Sequence, residues 1–185
     1  MVVDSSQASS CNRVHLAAIQ HSGDPEVDKL LAGIGRQLKR RGYRVGGVVQ
    51  SNLPQSDGRR CDMVLEEMTT NQIVFISQQL GPGSRGCRLD SAALEHAVGL
   101  VEASLQVGLD ILILNKFGKQ EAEGKGFATT IATAVDANIP VLITIDRNFA
   151  EAWHKFCGAE CEILKADRKA VDQWINASLP AARTS

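Results

Sequence analysis

The feature that most restricts the fold is a repeated pair of segments, an apolar run that ends on polar residues and then a stretch of helical periodicity. Apolar runs at residues 14–19, 43–49, 109–114 and 139–145 have the length and composition of buried strands. Helical patterns follow at residues 24–42, 90–107, 127–137 and 168–179. Strands that alternate with helices in this way indicate a parallel sheet joined by right-handed crossovers.

Two further strand-like runs, residues 62–68 and 72–78, flank a Thr-Thr-Asn turn and predict a β-hairpin inserted into this pattern. The chain is therefore expected to be an α/β protein, a three-layer sandwich with a mostly parallel central sheet. Its 185 residues are enough for one well-buried core. We expect tails at residues 1–12 and 181–185 around a single domain, residues 13–180.

Composition limits the classes of partner. The formal net charge is −1 and aromatic residues make up 4% of the chain, which argues against nucleic acid and anionic membranes as partners. No apolar run reaches transmembrane length, and the polar, Ser-rich start lacks the features of a signal peptide. Five cysteines at this density suggest reduced thiols and a cytoplasmic location. Both a monomer and a homodimer are compatible with this composition.

In a parallel α/β sheet, ligands bind beyond the carboxyl ends of the strands. The residues that end the predicted strands should therefore share one edge of the sheet, which we call the rim: His21, Ser51, Asn115, Lys116 and Asp146. Any functional site is expected there.

The first strand, loop and helix carry an altered phosphate-binding motif. Residues 23–30 read Gly-Asp-Pro-Glu-Val-Asp-Lys-Leu, against the pattern Gly, four residues, Gly, Lys and Ser or Thr. Gly23 and Lys29 are in register, but Asp28 replaces the second glycine and Leu30 replaces the hydroxyl that binds magnesium. Three acids crowd a turn whose backbone amides would hold phosphate. This loop favours a capped structural helix over a nucleotide site.

Asp24 is the expected N-cap of that helix, with Pro25 as its first residue. A capping carboxylate would occupy amides that a phosphate needs. Lys29 has two interpretations, an ion pair with Glu26 or contact with a ligand beside Ser22 and Gly23.

The second motif of such enzymes is altered as well. A buried strand should end in an acid that holds magnesium, often followed by a glutamate. The strand at residues 109–114 is instead followed by Asn115 and Lys116. A neutral amide is a poor magnesium ligand, and an ammonium group cannot act as a general base at neutral pH. Metal-assisted hydrolysis by the usual residues is therefore not expected.

These motifs carry a family resemblance that covers nearly the whole chain after the tail. The run Arg-Gly-Tyr-Arg-Val-Gly-Gly at residues 41–47 resembles the thermophile-type P-loop nucleoside triphosphatases, whose second motif aligns with residues 115–121. Residues 114–124, Leu-Asn-Lys-Phe-Gly-Lys-Gln-Glu-Ala-Glu-Gly, with Gly-Cys-Arg-Leu-Asp at 86–90, resemble more closely the bacterial family of domain of unknown function 2478. The resemblance implies a P-loop-like fold with degenerate motifs. Members are often associated with molybdate transport, which implies a context and no particular chemistry.

Two loops could hold an anion. The loop after the altered second motif, residues 115–126, presents Lys116 and Lys119, while Gly118 and two later glycines allow close backbone approach. The loop at residues 81–88 could deliver Arg85 and Arg88 to the same anion. Either loop could equally be only a connection.

Catalytic candidates are weak. Glu121 or Asp146 could replace the missing acids of a divergent nucleotide hydrolase or phosphotransferase, and Cys87, between two arginines, is the best candidate for a reactive thiol. The cluster of His154, Cys157 and Cys161 lacks a fourth ligand, so core packing or free thiols are favoured over a metal site, and no metal is expected.

We therefore expect a non-hydrolytic or divergent P-loop-like protein that binds a small anion, such as a nucleotide, phosphate or molybdate. It could serve as an accessory in molybdenum metabolism. The expected ligand-binding residues are Ser22, Gly23, Lys29, Arg85, Arg88, Asn115, Lys116, Gly118 and Lys119. The alternatives are the divergent enzyme and a ligand-free protein-interaction module.

Overall fold

The computed structural model describes residues 15–53, 62–78, 89–158 and 161–180. The strands of these segments are β1 Leu16–His21, β2 Val45–Leu53, β3 Asp62–Glu67, β4 Ile73–Phe75, β5 Ile111–Phe117, β6 Val141–Asp146 and β7 Cys161–Lys165. The helices are α1 Glu26–Arg40, α2 Ser91–Gln106, α3 Lys119–Ala122, α4 Ala128–Asp136, α5 Ala150–Cys157 and α6 Arg168–Ser178. A 3-10 turn, Arg147–Phe149, precedes α5.

The strands form one sheet in the order β4-β3-β2-β5-β6-β1-β7. The pairs β2–β5, β5–β6, β6–β1 and β1–β7 are parallel. The predicted hairpin, β3 and β4, extends the sheet beyond β2 through antiparallel pairing. The mostly parallel sheet and its inserted hairpin are confirmed.

Helices cover both faces of the sheet, so the expected three-layer sandwich is confirmed. On one face, α1 and α6 pack against alternate strand residues such as Ile19, Ile113 and Leu142. On the other face, α2, α4 and α5 pack against the intervening residues, among them Leu114 and Ile143. Because side chains alternate along a strand, each parallel strand is buried on both sides and reads as a continuous apolar run.

Helix α1 follows from its sequence. Its apolar stripe, which includes Val27, Leu31, Ile34 and Leu38, is buried. The side chain of Asp24 accepts a hydrogen bond from the backbone N–H of Glu26 at 2.9 Å. The N-cap position is Pro25, so the prediction of Asp24 as the N-cap is wrong by one residue. The helix begins at Glu26, one residue later than the sequence pattern indicates. The chain changes direction after the helix at Gly42, whose φ is +84°.

The structure adds elements that the sequence pattern did not predict, namely helix α5 followed by strand β7, and the short helix α3 inside the expected loop at residues 115–126. Strand β7 lies at the edge of the sheet, and its five residues are half-buried or exposed, so it lacks the apolar run that marks the central strands. Strand β5 also ends later than expected, at Phe117, which places Asn115 and Lys116 inside an irregular part of the strand. The predicted tails and the whole loop at residues 81–88 lie outside the described residues, and the division of the chain into one domain and two tails remains a prediction.

Candidate functional site

The turn between β1 and α1 is occupied by internal hydrogen bonds. Only residues 22–25 separate the end of the strand from the start of the helix. The backbone N–H of Gly23 donates to Nδ1 of His21 at 3.0 Å, and the N–H of Val27 donates to the carbonyl oxygen of Asp24 at 3.2 Å. With the capped N–H of Glu26, three amides at the beginning of α1 already have acceptors. A phosphate at this turn would have to displace them.

Lys29, which aligns with the phosphate-binding lysine, is directed at a neighbour in the same helix. Its Nζ donates to Oε1 of Glu26 at 2.7 Å, and its side chain is 73% exposed. The hydrogen bond and charge of Glu26 raise the pKa of Lys29. This geometry agrees with the first of the two interpretations of Lys29, an ion pair on the helix surface.

The two altered motifs meet at Asn115. This side chain is 3% exposed, and its Nδ2 donates to Oδ1 of Asp28 at 2.8 Å. Its Oδ1 accepts from the hydroxyl of Thr144 at 3.1 Å. A carboxylate can only accept, so Asp28 fixes which end of the amide faces it. The chain Asp28–Asn115–Thr144 therefore connects α1, β5 and β6, and we call it the polar bridge.

The polar bridge lies where a P-loop enzyme would need space for phosphate and magnesium. Residue 28 stands at the second glycine of the first motif, and residue 115 stands at the acid of the second. In this chain the two residues are hydrogen-bonded to each other. The predicted ligand residue Asn115 thus has both ends of its amide engaged with protein atoms, although its side chain can still donate one more hydrogen bond.

Lys116 differs from Asn115, although the two are adjacent. Its side chain is exposed, and it has no ion pair or hydrogen bond with any other residue in the described segments. Lys119 is also exposed, and its Nζ lies 3.8 Å from one carboxylate oxygen of Glu123. The Nζ of Lys125 lies 3.3 Å from the other oxygen of the same carboxylate. The rim beside β5 therefore carries one ammonium group without a partner in the described segments and two others that share one carboxylate.

Glu121 closes the loop between β5 and α4. Its side chain is buried, and its two oxygens accept from the backbone N–H groups of Gly118 at 3.0 Å and Phe127 at 3.2 Å. Burial raises the pKa of Glu121, while these amide hydrogen bonds act in the opposite direction. The arrangement shapes the loop that carries Lys119 and holds the carboxylate away from solvent.

Asp146 ends β6 beside His21, with which it is paired across the parallel ladder. Its Oδ1 accepts from the backbone N–H of Asn148 at 2.8 Å and so caps the following 3-10 turn. Both candidate acids, Glu121 and Asp146, therefore serve local backbone structure. Ser22 is exposed on the turn before α1.

The cysteine prediction requires a correction. Cys157 at the end of α5 and Cys161 at the start of β7 form a disulfide, with their Cα atoms 6.0 Å apart, where the sequence suggested reduced thiols. The two residues come together because β7 begins directly beyond α5. No group of three His, Cys, Asp or Glu side chains in the described residues has the geometry to hold a metal ion. Arg85, Cys87 and Arg88 lie outside those residues.

Comparison with known proteins agrees with the resemblance seen in the motifs. The family model described as protein of unknown function DUF2478 matches residues 16–174, which is most of the chain. The chain belongs to this family. The family's match begins with β1 and extends into α6, so it includes the polar bridge and the rim.

One relative is the molybdenum import ATP-binding protein ModC 2 of Bradyrhizobium diazoefficiens, which is 36% identical to this DUF2478 chain over 163 residues. The match covers 88% of this chain and 18% of that protein, so the chain corresponds to a small part of it. Among solved structures, THEP1 from Aquifex aeolicus is similar, with a TM-score of 0.59 and 14% identity over 91% of this chain and 99% of that one. This similarity confirms the P-loop-NTPase-like fold. No helix in the described segments is long and apolar enough to span a membrane.

Sequence reasoning missed two features of the site. The contact between Asp28 and Asn115 joins residues 87 positions apart, and each had been considered only within its own motif. Thr144 lies within an apolar run of the sequence, although its hydroxyl completes the polar bridge. Alternation could have identified Thr144, because it follows Leu142 on the face that α1 covers.

Proposed function

We propose that this DUF2478 protein is a non-hydrolytic P-loop-like protein that binds a small anion at the rim beside Lys116. The observation that carries the proposal is the contrast between two adjacent residues. Asn115 is buried and hydrogen-bonded within the polar bridge, while Lys116 is exposed and has no partner among the described residues. The first feature closes the usual phosphate and magnesium site, and the second offers a cation where ligands of open α/β sheets bind.

The hydrogen bonds at the start of α1 support the non-hydrolytic half of the proposal. A triphosphate needs free amides, a lysine and a metal ligand at this turn. Here three amides have acceptors, Lys29 is paired with Glu26, and Leu30 has no oxygen to offer a metal.

The anion class is a nucleotide, phosphate or an oxyanion such as molybdate. The relative ModC 2, a molybdenum import ATP-binding protein, supports an accessory role in molybdenum metabolism. A divergent hydrolase that uses Glu121 or Asp146 is less well supported, because hydrogen bonds to backbone amides already engage both carboxylates.

Isothermal titration calorimetry with phosphate, molybdate and ATP, each with and without magnesium, tests the proposal. At least one anion should bind, and Lys116→Ala should weaken that binding roughly tenfold or more, as expected for loss of a charged hydrogen bond. Lys155→Ala is the matched control, because it removes the same charge from an exposed lysine that is paired with Glu151. Equal weakening by both substitutions would refute the site, and no response to any anion would favour the interaction module.

A further inference from the structure

His21 lies at the end of β1, beneath the start of α1. It is 8% exposed, and it is the next residue after Ala17 and Ile19 in the alternation that faces α1. The neighbouring strand β6 places Asp146 beside it and carries Thr144 of the polar bridge two residues earlier. The imidazole ring is therefore in the same polar region as the altered motifs.

The tautomer of His21 follows from its one hydrogen bond. The backbone N–H of Gly23 donates to Nδ1, so in the neutral ring Nδ1 is the acceptor and the proton is on Nε2. Nε2 is buried and forms no hydrogen bond with any residue that the structure describes. A buried N–H without an acceptor is rare and unfavourable, and it calls for a partner such as a ligand or an ordered water.

The position of this donor favours a ligand. The connection after β1 runs through α1 on one face of the sheet, whereas the connection after the adjacent strand β6 runs through α5 on the other face. Such a divergence between neighbouring strands creates the crevice in which open α/β sheets bind ligands. His21 and Asp146 are the paired last residues of the two strands between which the connections diverge.

The charges around the crevice define the ligand class. Each nearby carboxylate has a donor of its own, because Asp24 accepts from an amide, Glu26 from Lys29, Asp28 from Asn115 and Asp146 from an amide. Among the described residues around the crevice, the groups without a partner are therefore donors, Nε2–H of the histidine and the ammonium group of Lys116. Their strands are separated only by β6, so their backbones are about 10 Å apart, a gap that the lysine side chain can narrow.

We propose that His21 is a ligand-binding residue of this site and that its Nε2–H donates a hydrogen bond to an oxygen atom of the anion. This inference rests on the proposed function and adds a neutral donor on β1 to the cation on β5. The bound group is an oxyanion that reaches the crevice past the exposed turn at Ser22 and Gly23.

Two substitutions separate the roles of the two ring nitrogens. His21→Asn keeps an acceptor near Nδ1 for the N–H of Gly23 and removes the donor at Nε2. His21→Gln places an amide near Nε2, where it can donate to the ligand. In calorimetry with phosphate or molybdate, the Asn variant should bind roughly tenfold to a hundredfold more weakly, and the Gln variant should recover part of that loss. His154→Asn, at an exposed position on α5, is the matched control.

Histidine ring nitrogen spectra of the wild-type protein provide a readout that does not depend on variants. The free protein should show an Nε2–H tautomer of His21, and added phosphate or molybdate should shift its Nε2 resonance. If the Asn variant binds as well as wild type while Lys116→Ala fails to bind, the His21 inference is wrong and the proposed function stands. If wild type binds no anion, both are wrong. If the Nε2 resonance of His21 shows a hydrogen bond only to an internal water and does not shift with any anion, the inference is also wrong.

Discussion

Asn115 donates a 2.8 Å hydrogen bond to Asp28, and these residues occupy two of the positions at which the chain departs from a P-loop nucleoside triphosphatase, one in each motif. Each departure alone would weaken phosphate or magnesium binding. Together they form a contact that joins α1 to β5. The fold is thus retained while the two altered motif positions are hydrogen-bonded to each other.

Exchanging the two residues tests this contact. Asn115→Asp should destabilise the protein at neutral pH, because two carboxylates would then face each other in a partly buried position. The double variant Asp28→Asn with Asn115→Asp restores a donor and an acceptor, and Thr144 can still donate to residue 115. Urea denaturation should show a favourable coupling of about 1–3 kcal/mol between the two changes. Additive effects of the single substitutions would show that the contact contributes nothing to stability.

The buried carboxyl of Glu121 should make stability depend on pH. Burial raises its pKa in the folded state, so the folded protein retains this proton to a higher pH than the unfolded chain does. An unfolded glutamate titrates at roughly pH 4, and the stability that Glu121 contributes is fully present below that pH. This stability is lost as the pH rises through the raised pKa of the folded state. As the pH rises, the unfolding free energy of wild type should therefore fall relative to that of Glu121→Gln.

Glu102→Gln, at an exposed position on α2, controls for the loss of a carboxylate. If the unfolding free energy of wild type instead rises relative to that of Glu121→Gln as the pH rises, the amide hydrogen bonds outweigh burial at Glu121.

Gly47 is required by the packing of β2 against β5. Its φ is +104°, and a Cβ atom there would overlap the carbonyl oxygen of Ile113. Gly47→Ala should cost about 3 kcal/mol or more of unfolding free energy, from backbone strain and overpacking together. Gly99→Ala, at an exposed position in α2 with no atoms close to the added methyl group, should instead stabilise the protein by about 0.5–1 kcal/mol. Thermal and urea unfolding measure both, and similar effects of the two substitutions would contradict this packing argument.

The sequence was sufficient to predict most of the fold. The central strands are buried on both faces, so their apolar runs identify them without knowledge of their neighbours. The unit formed by α5 and β7 was missed because β7 lies at the edge and its side chains are half-buried or exposed, so it lacks a comparable run. Its position depends on pairing with β1, which is a tertiary interaction.

The site was harder to predict because side-chain direction depends on neighbours that are distant in sequence. Asn115 and Lys116 both looked like polar loop residues after a strand. The strand continues through them because the polar bridge satisfies the amide of Asn115 inside the protein, while Lys116 remains exposed. Nothing in the local pattern distinguishes the two residues.

Replacement of Lys29 should not affect ligand binding. In a P-loop enzyme this lysine contacts phosphate, but here it is exposed and paired with Glu26. Lys29→Ala should bind phosphate and molybdate as wild type does, in calorimetry under the same buffer conditions. A loss of affinity comparable to that of Lys116→Ala would show that Lys29 contacts the anion and would contradict its assignment to an ion pair.

The most direct test of the central claim is magnesium-dependent release of phosphate from ATP and GTP, measured under single-turnover conditions at neutral pH. Because the bridge between Asp28 and Asn115 fills the site, wild type should release no more phosphate than the same solution without protein. Magnesium-dependent release by wild type that disappears in Lys29→Ala would contradict the account, since it would show that the altered motifs still bind and hydrolyse nucleotide.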